Sequence, residues 1–207
     1  MLFALRRYHF CNLFPKLESL LTMNDNQLME DVRDGRVEKL AILFERHHVA
    51  LFNFFLRLTG SRPASEDLVQ DVFIRILKYR STYKGEDRYT VWMYKIARNA
   101  HIDFLRKRKD AVSLDEQFEE TPSPEPAPED RAVREQEGAL LARALTRLSP
   151  KKQEILVLSR YQNLKYREIA ELLDCPVGTV KGLIHRAIEE LGDIYTKLSS
   201  EVCRHEV

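Results

Sequence analysis

The sequence predicts an all-α protein of two small helical domains joined by an acidic, proline-rich linker, the C-terminal domain being a helix-turn-helix. Apolar residues recur at spacings of three and four along most of the 207 residues, which is the period of a buried helix face. Glycine and proline are scarce before position 120, and no stretch shows the alternation of a strand. The linker is marked by its prolines Pro122, Pro124, Pro126 and Pro128 among acidic residues.

Three helices are predicted in the first domain. The first covers 37–58 and ends at Gly60 and Pro63, which break helices. The second runs from about Ser65, a good N-cap residue, to Tyr79. A loop around Gly85 leads to the third helix, over about 90–109. Helical patterning then resumes near 135 and continues to about 198, after the linker.

These patterns predict five segments. They are an N-terminal extension, a first domain, a flexible acidic linker, a helix-turn-helix domain and a tail, over 1–30, 31–112, 113–137, 138–198 and 199–207. We expect the extension to lack a packed structure. Its apolar and basic start predicts either an amphipathic membrane-surface segment or translation from Met23, and we favour the second interpretation.

The net charge of +1 hides a segregation of sign. A basic block lies within 95–109, and an acidic block lies within 115–137. Because local sign rather than the sum attracts a polyanion, the basic block stays compatible with nucleic acid. The three cysteines, Cys11, Cys175 and Cys203, are far apart and odd in number, which indicates a reducing cytoplasm and no disulfide framework. No stretch approaches the ~20 apolar residues of a membrane span.

The segment 166–187 is the most informative part of the chain. It reads as two short helices and a tight turn, with Pro176 placed to open the second helix. Val180, Ile184 and Ala187 predict a buried face on that helix, and polar residues cover the other side. This pattern favours a helix that enters the DNA major groove, while an ordinary helical hairpin remains the alternative.

A second constellation spans 89–109, where aromatic residues are followed by a basic run. Aromatic side chains stack on unpaired bases and neighbouring cations hold phosphates, which together indicate single-strand binding. The alternative is that the aromatic residues are core and the cations cap a helix. Asp67 and Asp71, four residues apart, could hold a metal, but no third ligand supports this, and we predict no cofactor, metal or catalytic residue.

Three motifs, in order along the chain, carry a family resemblance. SEDLVQDVFIRILK resembles the helix with which bacterial sigma factors grip the clamp helices of RNA polymerase. YTVWMYKIARNAHIDFLRKRK resembles the stretch that opens and reads the −10 promoter element. The segment 148–191 resembles the domain that reads the −35 element. The chain is therefore identified as resembling the extracytoplasmic-function class of the sigma-70 family.

This resemblance implies roles for residues that match the family's motifs. Those implied to bind core polymerase are Asp67, Leu68, Gln70, Asp71 and Phe73. Those implied to contact the −10 element and the melted strand are Tyr89, Trp92, Lys95, Arg98, Asn99, Asp103 and Arg106, with Tyr89 at a loop tip that captures a flipped base. Those implied to read the −35 element are Thr179, Lys181, Gly182, His185 and Arg186.

The recognition helix departs from the family pattern. Gly182 and Leu183 stand where serine and arginine are common, and Ile188 stands where a basic residue is common. The resemblance thus implies weaker phosphate contacts there, and the promoter sequence cannot be carried over.

The implied function is that of a sigma factor, which binds core RNA polymerase, recognises promoter DNA as duplex and as melted non-template strand, and promotes melting. A cognate anti-sigma factor is an implied partner, and stable membrane insertion is not expected. Two alternatives remain. A dimeric helix-turn-helix regulator would leave the motifs at 66–78 and 89–109 without a purpose, and a metal-dependent DNA-processing enzyme would need Asp67 and Asp71.

Overall fold

Eight α-helices make up the part of the chain that the structure, a computed structural model, describes: residues 23–85, 88–112 and 129–205. Two 3₁₀ turns, at Val37–Lys39 and Arg80–Thr82, and a π-helical turn at Val157–Tyr161 join them. The helices are α1 Asp25–Arg33, α2 Leu40–Thr59, α3 Arg62–Tyr79, α4 Tyr89–Val112, α5 Glu129–Thr146, α6 Pro150–Leu156, α7 Tyr166–Leu172 and α8 Val177–His205. The predicted all-α class is confirmed.

Local sequence signals set the helix ends of the first unit. Gly60 adopts the left-handed conformation (φ +67°) and ends α2. Ser61 then caps α3 by accepting a hydrogen bond from the Ala64 N–H. The predicted N-cap, Ser65, is instead fully buried one turn inside the helix, where its hydroxyl donates to the Ser61 carbonyl. The prediction missed this because it took Pro63 as a helix breaker. Proline is also favoured in the first turn of a helix, which is where Pro63 lies.

The first helical unit, α1–α4, has a core of leucines and aromatic rings. Phe54 and Phe55 of α2 are fully buried and meet edge to face, with ring centroids 5.2 Å apart. Helix α1 closes this core with Leu28, Met29 and Val32, all without exposed surface. The expectation of an unstructured extension over 1–30 is therefore wrong for α1, whose capping box at Asn24 and Gln27 lay unrecognised in the sequence. Residues 1–22 lie outside the described part of the chain.

The second helical unit, α5–α8, contains the helix-turn-helix. Helix α5 begins at Glu129, so the backbone of the last nine residues expected as linker, 129–137, is helical, while 113–128 lie outside the description. Helix α7 and the start of α8 form the predicted motif, with Asp174 in the left-handed region (φ +50°) at the turn. Helix α8 continues to His205, which places residues expected as a tail within a helix.

The two units share one hydrophobic core, which the sequence did not predict. Leu145, Leu148 and Ile155 of the second unit belong to the same buried cluster as Leu43 and Phe54 of the first. Helix α7 packs on α4, and α5 lies against α2. Within the described residues, no helix is both long and apolar enough to cross a membrane.

Buried His101 on α4 makes stability depend on pH. Its side chain is 5 % exposed, its Nε2 has no hydrogen-bond partner, and burial lowers its pKa from 6.5 to about 4. Between these two values the unfolded chain binds the proton and the folded chain does not, so the stability that His101 contributes is lost as the pH falls. We expect the free energy of unfolding to decrease by about 3 kcal/mol across this window.

Denaturant titrations at pH 7 and pH 4.5 test this expectation. The variant His101→Phe should show a smaller loss on acidification than the wild type. The matched control His185→Ala removes a histidine whose side chain is 75 % exposed, and it should keep the wild-type loss. An equal loss in all three proteins would contradict a role for His101.

Candidate nucleic-acid interface

One exposed face of α3 carries both acidic and apolar side chains. Asp67, Gln70 and Asp71 lie on this face, as the sequence predicted, with Asp67 and Gln70 exposed and Asp71 half-buried. The same face carries Ile74, which is 64 % exposed, and Leu77, which is 38 % exposed. Ile74 and Leu77 are three residues apart and so form a small exposed apolar patch beside Asp71, the kind of patch that another protein can cover. Sequence reasoning did not find Ile74 and Leu77 as exposed residues, because apolar spacing along a helix indicates only the buried face.

Leu68 and Phe73 do not lie on that exposed face. They are 5 % and 7 % exposed, and the Phe73 ring meets the Phe44 ring edge to face at 4.9 Å. Their assignment as polymerase contacts is therefore corrected to core packing. The physical reason is the helical period, which turns 68, 69, 72, 73 and 76 toward α2.

Arg75 links this face to α4. Its Nε lies 2.9 Å from an Asp71 oxygen, and its Nη1 lies 2.7 Å from an Asp103 oxygen. Arg75 therefore pairs with both Asp71 and Asp103. Within the described residues, no group of three histidine, cysteine or acidic side chains could hold a metal ion, so Asp67 and Asp71 have no third ligand.

A surface cleft of about 200 Å³ lies beside the start of α4. Trp92, Lys95 and Asn99 line it from one face of α4, together with Tyr79, Thr82 and Ile96. Trp92 is half-buried and meets the buried Tyr83 ring edge to face at 5.3 Å, which fixes the indole at the cleft wall. An aromatic wall, an exposed ammonium and a side-chain amide are the groups that stack on a base and hold its phosphate.

Tyr89 does not lie at an exposed loop tip. It is the first residue of α4 and is 1 % exposed; its N–H donates to the Asn26 side chain at 2.9 Å, and its ring tilts against His47. Burial raises the pKa of the Tyr89 phenol, whose hydroxyl has no partner. The prediction failed because α1, which supplies Asn26, was taken for an unstructured extension. Tyr94 is likewise buried, at 4 % exposure.

The remaining predicted strand contacts lie apart from the cleft. Arg106 is exposed near the C-terminal end of α4, in the predicted basic run. Arg98 faces the second unit, where its Nε lies 3.2 Å from an oxygen of Glu154. The structure thus brings Trp92, Lys95 and Asn99 together at the cleft. Asp103 and Arg106 lie one and two turns farther along the same face of α4, whereas Arg98 is turned toward the second unit.

The recognition helix, at the start of α8, presents its predicted polar face. Val180, Ile184 and Ala187 are buried beneath it. The exposed residues on the outer side are Thr179, Lys181, His185 and Arg186. Glu189 lies 3.6 Å from the His185 ring and reduces the positive character of this face.

Gly182 lies in open space on the same helix. A Cβ atom added there would meet no atom within 4 Å, so the fold does not require glycine at this position. Glycine leaves the helix backbone without a side chain between Lys181 and His185. It lowers helix stability by up to about 1 kcal/mol relative to alanine.

An exposed helix-turn-helix face on one unit and a cleft with an aromatic wall on the other are features of a two-part DNA-binding protein. Comparison with family models agrees in order and position: Sigma-70 region 2 matches residues 43–111, and Sigma-70 region 4 matches residues 139–191. The chain belongs to the sigma-70 family, and it is an extracytoplasmic-function RNA polymerase sigma factor that acts in promoter recognition and transcription initiation.

Two relatives support this assignment. The chain is 31 % identical over 178 residues to the RNA polymerase sigma factor CarQ of Myxococcus xanthus, covering 85 % of this chain and 100 % of that one. It is 31 % identical over 164 residues to the ECF sigma factor SigE of Mycolicibacterium smegmatis, covering 78 % of this chain and 63 % of that protein's length.

The fold is shared with the sigma factor RpoE of Bartonella quintana, solved with the anti-sigma factor NepR. That match has a TM-score of 0.63 at 24 % identity and covers 75 % of this chain and 96 % of that one. CnrH, solved with the cytosolic domain of CnrY, gives a TM-score of 0.62 at 22 % identity, over 84 % of this chain and 97 % of that one.

Proposed function

We propose that the two helical units divide the work of a sigma factor between three surfaces. The face of α3 binds core polymerase, the cleft beside α4 receives a base of the melted −10 strand, and the polar face of α8 reads the −35 duplex. The observation that carries this proposal is the exposure of the recognition-helix side chains Thr179, Lys181, His185 and Arg186 over a buried apolar face. A helix that is exposed on its polar side and buried on its apolar side can enter a major groove while it stays packed on its own domain.

The polymerase surface consists of Asp67, Gln70, Asp71 and Ile74. Covering Ile74, which is 64 % exposed, removes apolar area from water, and the carboxylates give the contact its orientation. Leu68 and Phe73 act only by holding α3 in place. Asp71 is paired with Arg75, but its side chain is still 40 % exposed, so the carboxylate remains part of this surface.

The melted strand is held by Trp92, Lys95 and Asn99. A base stacked on the indole is bound only when it is unpaired, so binding shifts the promoter toward the open state. Arg106 extends this contact along the strand backbone, whereas Arg98 is paired with Glu154 of the second unit. Asp103 supports the helix through Arg75 and is not itself a DNA contact. Tyr89 supports the cleft only indirectly, from within the core.

The segment boundaries follow from this division. We propose a polymerase and −10 domain over 23–112, a connecting segment over 113–128 and a −35 domain over 129–205. The factor itself catalyses no reaction and works in the cytoplasm with core polymerase. An anti-sigma factor is a proposed partner, supported by the structurally similar sigma factor RpoE, which was solved in complex with the anti-sigma factor NepR.

Substitutions on the recognition helix test this proposal. Lys181→Ala and Arg186→Ala should each weaken binding to −35 duplex and leave core-polymerase binding unchanged, since both side chains are exposed and lie on the second unit. A lost phosphate contact lowers the salt slope of log K by about one. Fluorescence anisotropy across salt concentrations measures this slope.

The matched control is Lys197→Ala, an exposed lysine farther along the same helix. It should keep the wild-type affinity and slope. Unchanged duplex binding in both recognition-helix variants, or an equal loss of polymerase binding, would contradict the assignment of this face.

A further inference from the structure

Helix α1 packs against the two segments that form the cleft beside α4. It contacts the 3₁₀ turn Arg80–Thr82, which supplies Thr82 to the cleft, and it contacts α4, which supplies Trp92. The apolar side of α1 has no exposed surface and consists of Leu28, Met29 and Val32. Because this side is close-packed in the core of the first unit, the polar residues of α1 have fixed positions from which to hold the cleft.

One polar contact joins α1 to the start of α4. The half-buried Asn26 accepts, through its side-chain Oδ1, a hydrogen bond of 2.9 Å from the N–H of Tyr89, 63 positions along the chain. Tyr89 is the first residue of α4, and N–H groups in the first turn of a helix have no partner within it. Asn26 therefore caps α4 from another helix. Trp92 lies three residues farther on, so the placement of this first turn sets the placement of the indole.

The residue next to Asn26 anchors this end of α1 to α2. The Asp25 carboxylate accepts a hydrogen bond from Arg46 Nη1 at 2.7 Å, and its other oxygen lies 2.7 Å from His47 Nε2. The His47 ring tilts against the Tyr89 ring, with the centroids 5.2 Å apart. Hydrogen bonds to an ionised group are stronger than neutral ones, so Asp25 restrains Asn26 in the position that meets α4.

Helix α1 also contacts the loop that precedes α4. The Glu30 carboxylate lies against Gly85, so close that a Cβ atom added to the glycine would collide with it. Two residues earlier, the Tyr83 ring is buried and meets the Trp92 ring edge to face. The same nine-residue helix therefore holds the loop that carries Tyr83 and the helix that carries Trp92.

We propose that Asn26 is a positioning residue for promoter melting, which caps α4 from α1 and thereby sets the Trp92 indole at the wall of the cleft. This inference rests on the proposed function, because it needs Trp92 to stack on the melted strand. The residues that line the cleft do not include Asn26, so it acts through the backbone of Tyr89. An indole that is already in place when the base arrives costs no ordering on binding, which strengthens the contact.

Three substitutions of Asn26 separate its hydrogen bond from its volume. Asn26→Ala removes the acceptor and leaves the Tyr89 N–H without it. Asn26→Leu removes the same acceptor but nearly keeps the volume of the side chain, so it should behave as Asn26→Ala does. Asn26→Asp keeps an oxygen for the N–H, and a carboxylate is favoured at a helix N-terminus, so it should behave as the wild type.

Asn24→Ala is the matched control. Asn24 is two residues away on the same helix, and it exchanges two hydrogen bonds with Gln27 inside α1. Its loss removes the N-cap of α1 and should lower the melting temperature of the protein. The contact between Asn26 and Tyr89 remains, so promoter melting should be unchanged. This control distinguishes positioning of the indole from a general loss of stability.

Fluorescence of the full-length free chain reports the indole directly, because Trp92 is the single tryptophan among the 207 residues. Asn26→Ala and Asn26→Leu should shift its emission to longer wavelength and raise its quenching by acrylamide, since the displaced indole meets more water. Asn26→Asp and Asn24→Ala should keep the wild-type emission and quenching. Thermal unfolding of each variant confirms that it is folded at the temperature of the measurement.

Strand binding by the holoenzyme completes the test. The probe is a labelled, single-stranded −10 oligonucleotide with the non-template sequence of a promoter that the wild-type holoenzyme transcribes. Asn26→Ala and Asn26→Leu should each bind it about 2- to 10-fold more weakly, which is the net worth of one hydrogen bond. Trp92→Ala should lose more, because it removes the indole. Affinity for core polymerase and for −35 duplex should not change in any of these variants.

The inference is overturned if Asn26→Ala and Asn26→Leu keep the wild-type quenching and strand affinity, or if Asn26→Asp loses as much as they do. It is also overturned if Asn24→Ala reproduces their effects. Failure of the proposed function has a different signature. In that case Asn26→Ala alters the quenching of Trp92 as expected, but neither it nor Trp92→Ala loses affinity for the strand.

Discussion

Asp71→Arg is expected to abolish transcription by removing affinity for core polymerase. Asp71 lies on the exposed face of α3 beside Ile74, and its reversal places a cation where the proposed interface has a carboxylate. Like charges across an interface cost several kcal/mol, so we expect a loss of at least about 100-fold in affinity. Competition with a labelled reference sigma factor for core polymerase measures it.

The fold should survive this substitution. Arg75 loses its contact with Asp71 but keeps Asp103 at 2.7 Å, and a repulsive i,i+4 pair on a helix costs only a few tenths of a kcal/mol. Thermal unfolding of the variant checks this. The matched control Glu45→Arg reverses an exposed carboxylate on α2 and should bind polymerase normally. Normal polymerase binding by Asp71→Arg would show that the interface lies elsewhere.

Trp92→Ala is expected to block promoter melting while leaving polymerase binding and closed-complex formation nearly intact. The indole forms the aromatic wall of the cleft, and losing a stacked base costs ~1–3 kcal/mol. Unpairing costs a few kcal/mol itself, so the loss of this contact returns the promoter to duplex. Permanganate reactivity of promoter thymines should fall about 10- to 100-fold, as that stacking energy implies.

Three comparisons make this result specific. A template with a pre-melted −10 bubble should restore much of the transcription, because the unpairing cost has been removed. Trp92→Phe should recover part of the melting through its remaining ring. Tyr89→Phe should melt promoters normally, since the Tyr89 hydroxyl is buried and has no partner. Normal melting by Trp92→Ala, or a failure of Tyr89→Phe alone, would contradict the location of the cleft.

The sequence predicts the positions of the helices better than the contacts between them. The periods of α2, α3 and the helix-turn-helix follow from apolar spacing, and the structure has them within a few residues of the predicted bounds. Helix α1 was missed, since nine residues with three buried apolar side chains offer little periodicity to detect. That omission led directly to the misplacement of Tyr89, which α1 covers.

The candidate site shows the same limit. Asp67, Asp71, Trp92 and Asn99 reach the surface, as a binding role requires, but motif membership also drew in Leu68 and Phe73, which are core. Motifs group neighbours in sequence, whereas a helix sends neighbours to opposite sides. Burial of Glu154 and Gln153 could not be predicted, because a polar residue covered by another unit has the same local pattern as one facing solvent.

Promoter-directed transcription by core polymerase tests the central claim most directly. Purified full-length chain, core polymerase and genomic fragments should yield discrete transcripts whose 5′ ends share two upstream sequence elements at fixed spacing. Asp71→Arg should remove these transcripts, and Lys181→Ala should reduce those that depend on the upstream element. Transcripts that start at scattered positions, as with core polymerase alone, would contradict the assignment of this chain as the subunit that selects the promoter.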